Sequence, residues 1–380
     1  MAKRSPIAMI VDRVMHYHRP TLQAIEARLA EQDIELHVLS SRDRAGAVGR
    51  VAEAKPVVRL HQHYSLREMQ VRGFTLRAQL GLADMICAIR PSVVVSTCHS
   101  GTVTEWQILR DSARRGARSV AWQCGYEYHP GWLKDQVLGR FVPMFDMHLC
   151  YHSNARNYAL RHGATLAQTL VMHNTIDERS IVPTNADAAR EQLVIKHPQL
   201  ANRKIILYVG AVLAEKRLEL VFDALDRLND PQAFFLIVGD GAHLSSLRQR
   251  YGHRLDWLAV GQVVQGVGVY FDGGHVFVLP GTGGLAINEA MAHRLPVISG
   301  YADGSADDLV LDEETGFRLR DSSADELAAR LRRVLSDVEF ATALGKRGEQ
   351  RIRGELSFER FVDRAVNGLL GEHRLATQRN

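Results

Sequence analysis

The chain has 380 residues, of which 46% are hydrophobic and 24% are charged. This composition is ordinary for a folded globular protein, and the length favours two domains, each with its own core. The formal net charge of +4 is too small to indicate nucleic-acid binding, which needs a concentrated basic patch. No stretch approaches the roughly 20 apolar residues that span a bilayer, and the first residues lack the apolar core of a secretory signal.

In the first half of the chain, short apolar runs alternate with helical stretches. Ile7 to Asp12 is predicted as a buried strand, and His18 to Glu31 as a helix with one apolar face. The further predicted strands are Ile34–Leu39, Val93–Ser96, Ser119–Gln123 and Met147–Tyr151. This alternation predicts a parallel sheet with crossover helices.

One part of this half carries an excess of positive charge. Between Arg42 and Arg77 there are eight Lys or Arg residues against three acidic ones, interleaved with apolar side chains. Such a surface could rest on anionic lipid, where each basic group contributes about 1 kcal/mol. A solvated face beside an anion-binding cleft is the alternative interpretation.

The second half repeats the alternation, with predicted strands at Ile205–Val209, Phe234–Val238, Trp257–Val260, Val276–Leu279 and Val297–Ile298. The polar stretch from Thr184 to Lys204 is predicted as a linker with a short helix in its middle. Ligands of open α/β sheets bind beyond the carboxyl ends of the strands. We therefore expect an α/β protein with two doubly wound, Rossmann-like domains facing a cleft.

Cysteine and histidine spacing gives no metal site. The four cysteines, Cys87, Cys98, Cys124 and Cys150, form no Cys-x-x-Cys pair, which is typical of free thiols in a reducing cytosol. His148, Cys150 and His152 alternate along one predicted strand, but neighbours on one strand face lie about 7 Å apart. That spacing is too wide for three ligands at roughly 2 Å from one zinc ion, so we expect no metal.

The most informative segment is VFVLPGTGGLAINEAMAHRLPVIS, residues 276–299. Gly281, Gly283 and Gly284 allow a tight turn with uncovered N–H groups, and the helix beginning near Leu285 adds the positive end of its dipole. A diphosphate would fit there. Glycines at a strand-to-helix turn without a ligand are the alternative, because the segment matches neither GxGxxG nor the Walker pattern.

Two other strand ends in this half carry glycines, in YVGAVLAEK from Tyr208 to Lys216 and in FFLIVGDG from Phe234 to Gly241. With EAMA at Glu289 and PVI at Pro296, these segments resemble the nucleotide-sugar-binding domain of glycosyltransferase family 4. The family pattern is G-R-x4-K, VGDG, and E-x7-E leading into EAMA and PVI. MHNTIDERSIVP, with Asn174 and Asp177 in register, is similar to the family's PNxxD interdomain signature.

Three positions depart from the family pattern. The arginine of G-R-x4-K is Ala211, the first glutamate of E-x7-E is Gly281, and a histidine of the first domain aligns with Cys124, expected as a buried, inert thiol. A sub-branch of bacterial surface-polysaccharide transferases is similar to this variant. It also has an N-terminal cluster comparable to Tyr17, Arg19 and Pro20.

The resemblance implies the GT-B architecture. We expect an acceptor-side domain at residues 1–183, a nucleotide-sugar-binding domain at 184–355, and a C-terminal helix at 356–380 that packs back on the first domain. It further implies a retaining, metal-independent glycosyltransferase without a cofactor, since no Asp-x-Asp motif is present to hold a metal. The expected reaction moves a sugar from a UDP- or GDP-sugar to a lipid-linked glycan in surface polysaccharide synthesis. The expected location is the cytoplasm, with peripheral contact to the inner face of the cell membrane.

The donor residues follow from the matched motifs. Lys216 and the amides of Thr282, Gly283 and Gly284 would stabilise the departing diphosphate, with Gly210, Gly281 and Leu285 completing the donor site. Glu289, expected in the first turn or so of its helix, would accept hydrogen bonds from the ribose hydroxyls. The alternatives are a solvated lysine and a glutamate that complements the helix dipole.

On the acceptor side, His99 follows an apolar strand and would contact the donor sugar or the acceptor, or serve only as a structural histidine. Arg19 would meet a phosphate, or act as surface charge of its helix. A non-catalytic nucleotide-sugar-binding protein and a nucleotide-sugar epimerase are the two alternative functions. The sugar, the base and the acceptor do not follow from one sequence.

Overall fold

The computed structural model describes residues 5–15, 18–41, 56–71, 74–125, 131–300, 304–321 and 323–372. They form two compact units. The first runs to His173 and resumes at Glu359, and the second runs from Asn174 to Phe358. The chain therefore passes between the units twice, and the first passage lies ten residues before the expected boundary at residue 183.

The first unit is built on an eight-stranded sheet in the order β4-β3-β2-β1-β5-β6-β7-β8. Every pairing is parallel except the antiparallel pairing of β3 with β4. The strands are β1 (Ile7–Val11), β2 (Leu36–Ser41), β3 (Leu60–Val71), β4 (Phe74–Leu80), β5 (Val93–Ser96), β6 (Arg118–Gln123), β7 (Met147–Cys150) and β8 (Thr169–Val171).

The second unit has a fully parallel six-stranded sheet in the order β11-β10-β9-β12-β13-β14. Its strands are β9 (Lys204–Val209), β10 (Ala233–Val238), β11 (Trp257–Ala259), β12 (Val276–Leu279), β13 (Val297–Ser299) and β14 (Gly316–Arg318). Every residue of β10 and β12 is buried, as expected for parallel strands covered on both faces.

Helices cover the sheets. They are α1 (Arg19–Ala30), α2 (Leu82–Ile89), α3 (Val103–Arg114), α4 (Trp132–Phe141), α5 (Ser153–Arg161), α6 (Ala186–Lys196), α7 (Glu219–Leu228), α8 (Leu244–Tyr251), α9 (Gly268–Gly273), α10 (Leu285–Ala292), α11 (Ala306–Leu309), α12 (Ala324–Ser336), α13 (Val338–Arg353) and α14 (Phe358–Leu370). Within the described ranges, no helix combines the length and the apolar character needed to cross a bilayer.

The last helix packs on the first unit. Nη1 of Arg118, the first residue of β6, donates to the carbonyl oxygens of Gly368 and Leu369, both at 2.9 Å. The rings of Phe361 and Trp122 meet edge to face, with centroids 6.1 Å apart. The sheet of the first unit is thus covered in part by the chain's final helix.

Two segments differ from the sequence prediction. The stretch from Thr184 to Lys204 contains the expected helix, α6, but it is no linker, because it belongs to the second unit. Nε of Arg190 on this helix donates to the carbonyl of Gly273 at 3.2 Å.

The basic stretch ends in a long hairpin of β3 and β4 that was not predicted. Buried Tyr64 and Leu66 alternate with exposed residues on β3, a period-two pattern hidden by the many charges.

Candidate functional site

Three loops meet at the carboxyl edge of the second sheet, where β9 lies between β10 and β12. The loop after β9 is joined to the loop after β10 by the amide of Val212, which donates to the Asp240 carbonyl at 3.0 Å. It is joined to the loop after β12 by the amide of Thr282, which donates to the Glu215 carbonyl at 2.9 Å. The motif segments that lie far apart in sequence therefore form one cluster.

Two glycines make this contact possible. Gly239 has a φ of +144°, and a Cβ placed on it would lie 1.9 Å from the carbonyl oxygen of Gly210. A Cβ on Gly281 would lie 2.0 Å from the Glu215 carbonyl oxygen and 2.6 Å from the carbonyl carbon of Lys216. Because backbone atoms fill this space, position 281 has no room for the glutamate that the family pattern carries there.

Lys216 ends a short 3-10 turn, Ala214–Lys216, in the loop after β9. Its ammonium group donates to the carbonyl oxygen of Thr282. A Cβ built on Gly283 would lie 3.2 Å from Nζ, so the charge stands directly beside the glycine turn. The half-buried lysine is therefore held against the segment that leads into α10.

The amides of this turn are not equivalent. The N–H of Thr282 is engaged by Glu215, so this one of the three predicted donors is already used. Among the described residues, no backbone carbonyl accepts from the amides of Gly283, Gly284 or Leu285. These amides lie at the N-terminus of α10, where the helix dipole favours an anion.

Glu289 is the fifth residue of α10, so it lies in the second turn rather than in the first. Burial raises the pKa of its half-buried carboxyl, and the nearby His293 partly offsets this effect. Within the described part of the chain, the Glu289 carboxylate has no hydrogen-bond partner. Its neighbour His293 is fixed by Asp272, whose Oδ1 accepts from Nδ1 at 2.6 Å.

The segment that resembles the interdomain signature contacts the same helix. Nδ2 of the buried Asn288 donates to Oγ1 of Thr175 at 3.2 Å and to the carbonyl oxygen of Asn174 at 3.4 Å. Asp177 accepts from Nε and Nη2 of Arg179 at 2.7 and 2.8 Å. Asn288 was not among the predicted site residues, because it directly precedes the EAMA segment and belongs to none of the matched motifs.

In the first unit, the predicted residues lie in segments that follow the neighbouring parallel strands β1, β5 and β6. His99 is in the loop between β5 and α3, Arg19 is the first residue of α1, and Tyr17 falls outside the described residues. Cys124 directly follows β6 and is exposed, so the expected burial of this thiol is wrong. It lies one residue beyond Gln123, the last residue of β6 that pairs with β7, so it is outside the buried strand.

The three alternating residues of β7 and its end have structural partners. Nδ1 of His148 lies 2.9 Å from Nε2 of Gln123, and its Nε2 lies 3.1 Å from the Val142 carbonyl oxygen. Burial lowers the pKa of His148 to about 4, which keeps the ring neutral. His152 accepts from the amide of Ala155 through Nδ1 at 3.1 Å and caps α5. In the described ranges, no group of three or more metal-binding side chains is assembled.

A buried carboxyl group near His99 was missed from the sequence. Glu105 is 1% exposed, and its Oε2 accepts from the His99 amide at 3.1 Å. The available signal was the pattern Thr102-x-x-Glu105 at the start of α3, which is typical of a capping box. That pattern predicts an exposed helix cap and gives no indication of burial.

The second unit matches a known protein family. Residues 189–351 match the family described as "Glycosyl transferases group 1". The sulfoquinovosyl transferase SQD2 of Arabidopsis thaliana is 31% identical over 193 residues, which are 48% of this chain and 36% of that protein. The putative colanic acid biosynthesis glycosyl transferase WcaI of Escherichia coli strain K12 is 39% identical over 77 residues, 20% of this chain and 18% of that protein. The chain thus spans about a third and a fifth of these two relatives.

The fold as a whole matches solved structures. Anabaena Alr3699/HepE, solved in complex with UDP-glucose, aligns with a TM-score of 0.68 at 15% identity, covering 98% of this chain and 99% of that one. At this identity the likeness shows the fold, which is the two-domain α/β architecture of GT-B glycosyltransferases. The family match is thus confined to residues 189–351, in the second unit, and the fold match extends over nearly the whole chain.

Proposed function

We propose that the protein is a glycosyltransferase that moves a sugar from a nucleoside-diphosphate sugar to a glycan acceptor. The observation that carries the proposal is the loop cluster of the second unit. It places the Lys216 ammonium beside the amides of Gly283 and Gly284, which no carbonyl of the described residues engages, and Glu289 lies in the second turn of the helix that follows. The family match over residues 189–351 and the UDP-glucose complex of a protein with the same fold support a nucleotide-sugar donor.

The chemistry follows from these groups. The bond between the anomeric carbon and the diphosphate oxygen breaks, and a bond to an acceptor hydroxyl oxygen forms. Lys216 and the two glycine amides stabilise the negative charge that grows on the leaving diphosphate. The acceptor proton passes to a phosphate oxygen on the same face of the sugar, which retains the anomeric configuration. Fixed charges and dipoles act here in the role that a divalent cation fills elsewhere, so we propose a metal-independent reaction.

The carboxylate of Glu289 is proposed to bind the ribose of the donor. It has no partner of its own among the described residues, and a carboxylate accepts two hydroxyl hydrogen bonds well. The acceptor residues are proposed to lie in the first unit, with His99 at the acceptor and Arg19 at a phosphate group. A lipid-linked glycan of surface polysaccharide synthesis is proposed as the acceptor, and the match to a putative colanic acid biosynthesis glycosyl transferase supports a biosynthetic glycosyl transferase.

Peripheral membrane contact is proposed for the same unit. Of the basic segment from Arg42 to Arg77, residues 42–55 and 72–73 lie outside the described part of the chain. Nearby apolar side chains are exposed on the hairpin, with Met69 at 59% and Leu80 at 49%. Flotation with vesicles that contain anionic lipid tests this contact, and absence of the protein from the vesicle fraction at low salt contradicts it.

A non-catalytic nucleotide-sugar-binding protein is the second candidate, favoured by Ala211, which replaces the family's arginine. The absent glutamate at position 281 no longer favours it, because the backbone of Lys216 fills that space. Incubation with UDP- and GDP-sugars and mixed glycan acceptors separates the candidates. Release of nucleoside diphosphate that requires acceptor supports transfer. Binding without release supports the second candidate, and conversion of the donor without acceptor indicates an epimerase.

A further inference from the structure

We propose that Glu105 is a positioning residue that holds the His99 loop of the first unit in place for the acceptor, an inference that rests on the proposed function. The loop covers residues 97–102, between β5 and α3. Its backbone is unusual at Cys98, which has a φ of +60°, a region that non-glycine residues seldom occupy. A loop of this shape persists only where surrounding contacts fix it.

Glu105 supplies the central contacts. Its Oε2 accepts from the His99 amide at 3.1 Å, and its Oε1 lies 3.5 Å from the Thr97 hydroxyl, which donates to it. Residues outside the loop make the remaining hydrogen bonds to it. The Trp106 indole N–H donates to the Ser100 carbonyl at 2.9 Å, and the Gly101 carbonyl accepts from the Arg77 amide at 2.9 Å.

The carboxyl group is used differently from an ordinary helix cap. Glu105 is the third residue of α3, and in a capping box such a residue accepts from the amide of the N-cap, here Thr102. The Thr102 amide instead donates to the His99 carbonyl at 2.9 Å. Glu105 therefore reaches past its own cap to the residue that the sequence nominates for substrate contact.

Charged groups surround this carboxyl on several elements. Asp12 follows β1 and pairs with Arg77 of β4 at 3.3 Å, and Arg77 also pairs with Glu68 of β3 at 2.9 Å. Tyr64 of β3 donates to Asp12 at 3.4 Å. Arg77 is thus already engaged by two other carboxylates, and among the described residues Glu105 forms no ion pair with a cation.

The protonation state follows from these surroundings. Burial, and then the negative charge of Asp12, raise the pKa of Glu105 to about 8, against the opposing hydrogen bonds from His99, Ser96 and Thr97. At neutral pH the group is mostly a neutral acid, which is compatible with its burial beside Asp12. Above pH 8 a buried negative charge appears beside Asp12, and we expect the loop to loosen.

The test combines a spectroscopic and a kinetic measurement. In the ¹⁵N-labelled full chain, the His99 amide signal is followed from pH 6 to pH 10. We expect a shift with a midpoint near 8 that is absent in Glu105→Gln. A His99 amide that does not titrate in the native protein overturns the proposal. This readout needs no turnover, so it stays informative even where no acceptor is found and the proposed function fails.

The kinetic measurement asks whether Glu105 acts through His99. Glu105→Ala should lower kcat/KM for the acceptor about tenfold or more while the Kd for UDP stays unchanged, because misplaced substrate-contacting groups are costly. In a His99→Ala background, the same change should have almost no further effect. An equal loss in both backgrounds overturns the proposal, since Glu105 would then act independently of His99.

The matched control is Glu326→Ala in the second unit. Glu326 is also the third residue of its helix, α12, and its carboxylate likewise accepts from preceding amides, those of Arg320 at 2.9 Å and Asp321 at 3.2 Å. We expect normal transfer from this variant. Glu105→Gln, which keeps the size and one acceptor oxygen, should retain most activity and lose its dependence on pH near 8. Thermal unfolding of Glu105→Ala shows whether its defect is one of folding.

Discussion

Lys216 and Thr282 join two loops of the second unit, the lysine by donating from Nζ to the Thr282 carbonyl oxygen. One residue earlier, the Glu215 carbonyl accepts from the Thr282 amide at 2.9 Å. The loop after β9 and the loop after β12 are therefore linked in both directions, and the cationic group is fixed before any anion binds. Preorganisation of this kind makes a charge effective in catalysis, because it does not have to be oriented during the reaction.

Replacement of Lys216 by alanine should reduce transfer about 10²- to 10³-fold, as expected when one preorganised charge contact to a leaving group is lost. The melting temperature should change little, since the backbone link through Thr282 remains. Steady-state kinetics and thermal unfolding measure the two effects. Lys346→Ala, at an exposed position of α13, is the control and should be neutral in both. Equal losses of activity and stability would show a structural lysine instead.

Gly281→Glu restores the family's glutamate in sequence but should not restore a functional side chain. Its Cβ would lie 2.0 Å from the Glu215 carbonyl oxygen, so the two loops must separate. We expect a loss of about 1 to 3 kcal/mol in unfolding free energy, typical of overpacking, together with weaker UDP binding. Gly139→Ala, where an added Cβ meets nothing within 4 Å, is the control. A stable variant with increased activity contradicts the interpretation of this glycine.

Donor binding should depend on the ionisation of Glu289. Its pKa is raised by burial, so protonation begins at a higher pH than for an exposed glutamate. Affinity for UDP should fall as the pH is lowered and the Glu289 carboxylate becomes protonated, because the neutral acid accepts ribose hydrogen bonds less well. Calorimetric titration between pH 5 and pH 8 measures the change. Glu289→Gln should bind about tenfold or more weakly at pH 8, with little dependence on pH. Native binding that is independent of pH would rule out the ribose role.

Glu105 should also make the stability of the protein depend on pH. Its pKa is about 8 in the folded chain against the ordinary value of 4.5, so the folded state holds the proton more tightly. The folded protein therefore binds more protons than the unfolded one between these values, and stability falls as the pH rises from 4.5 to 8. Glu105→Gln lacks this effect. The melting temperature of Glu105→Gln minus that of the native protein should therefore increase between pH 6 and pH 9. A difference that stays constant over this range contradicts a raised pKa of Glu105.

Much of the second unit followed from the sequence, because parallel strands buried on both faces are continuous apolar runs. The runs at Phe234 to Val238 and Val276 to Leu279 were placed correctly on this basis. The segment of α6 was harder, since its polar composition is typical of a loop and only Ala189 and Leu193 are buried. Packing against another helix places α6 in the second unit, and the local sequence pattern does not indicate that contact.

The site was predictable only where residues share a motif. The loops with Lys216 and Gly281 were found because each follows an apolar strand, but their mutual hydrogen bonds are tertiary contacts. The burial of Glu105 and the exposure of Cys124 depend on what covers each residue in three dimensions. Neither residue type nor spacing contains that information, so both were beyond sequence reasoning.

The position of α14 has a consequence for how the molecule is made. Arg118 and Trp122 of β6 receive their partners from the final helix, more than 200 residues later in the chain. During translation, part of the surface of the first unit therefore stays uncovered until α14 leaves the ribosome. The second unit, which precedes α14 in the chain, can fold before that. A chain truncated before residue 359 would therefore carry the second unit up to its last residue and a first unit that lacks α14.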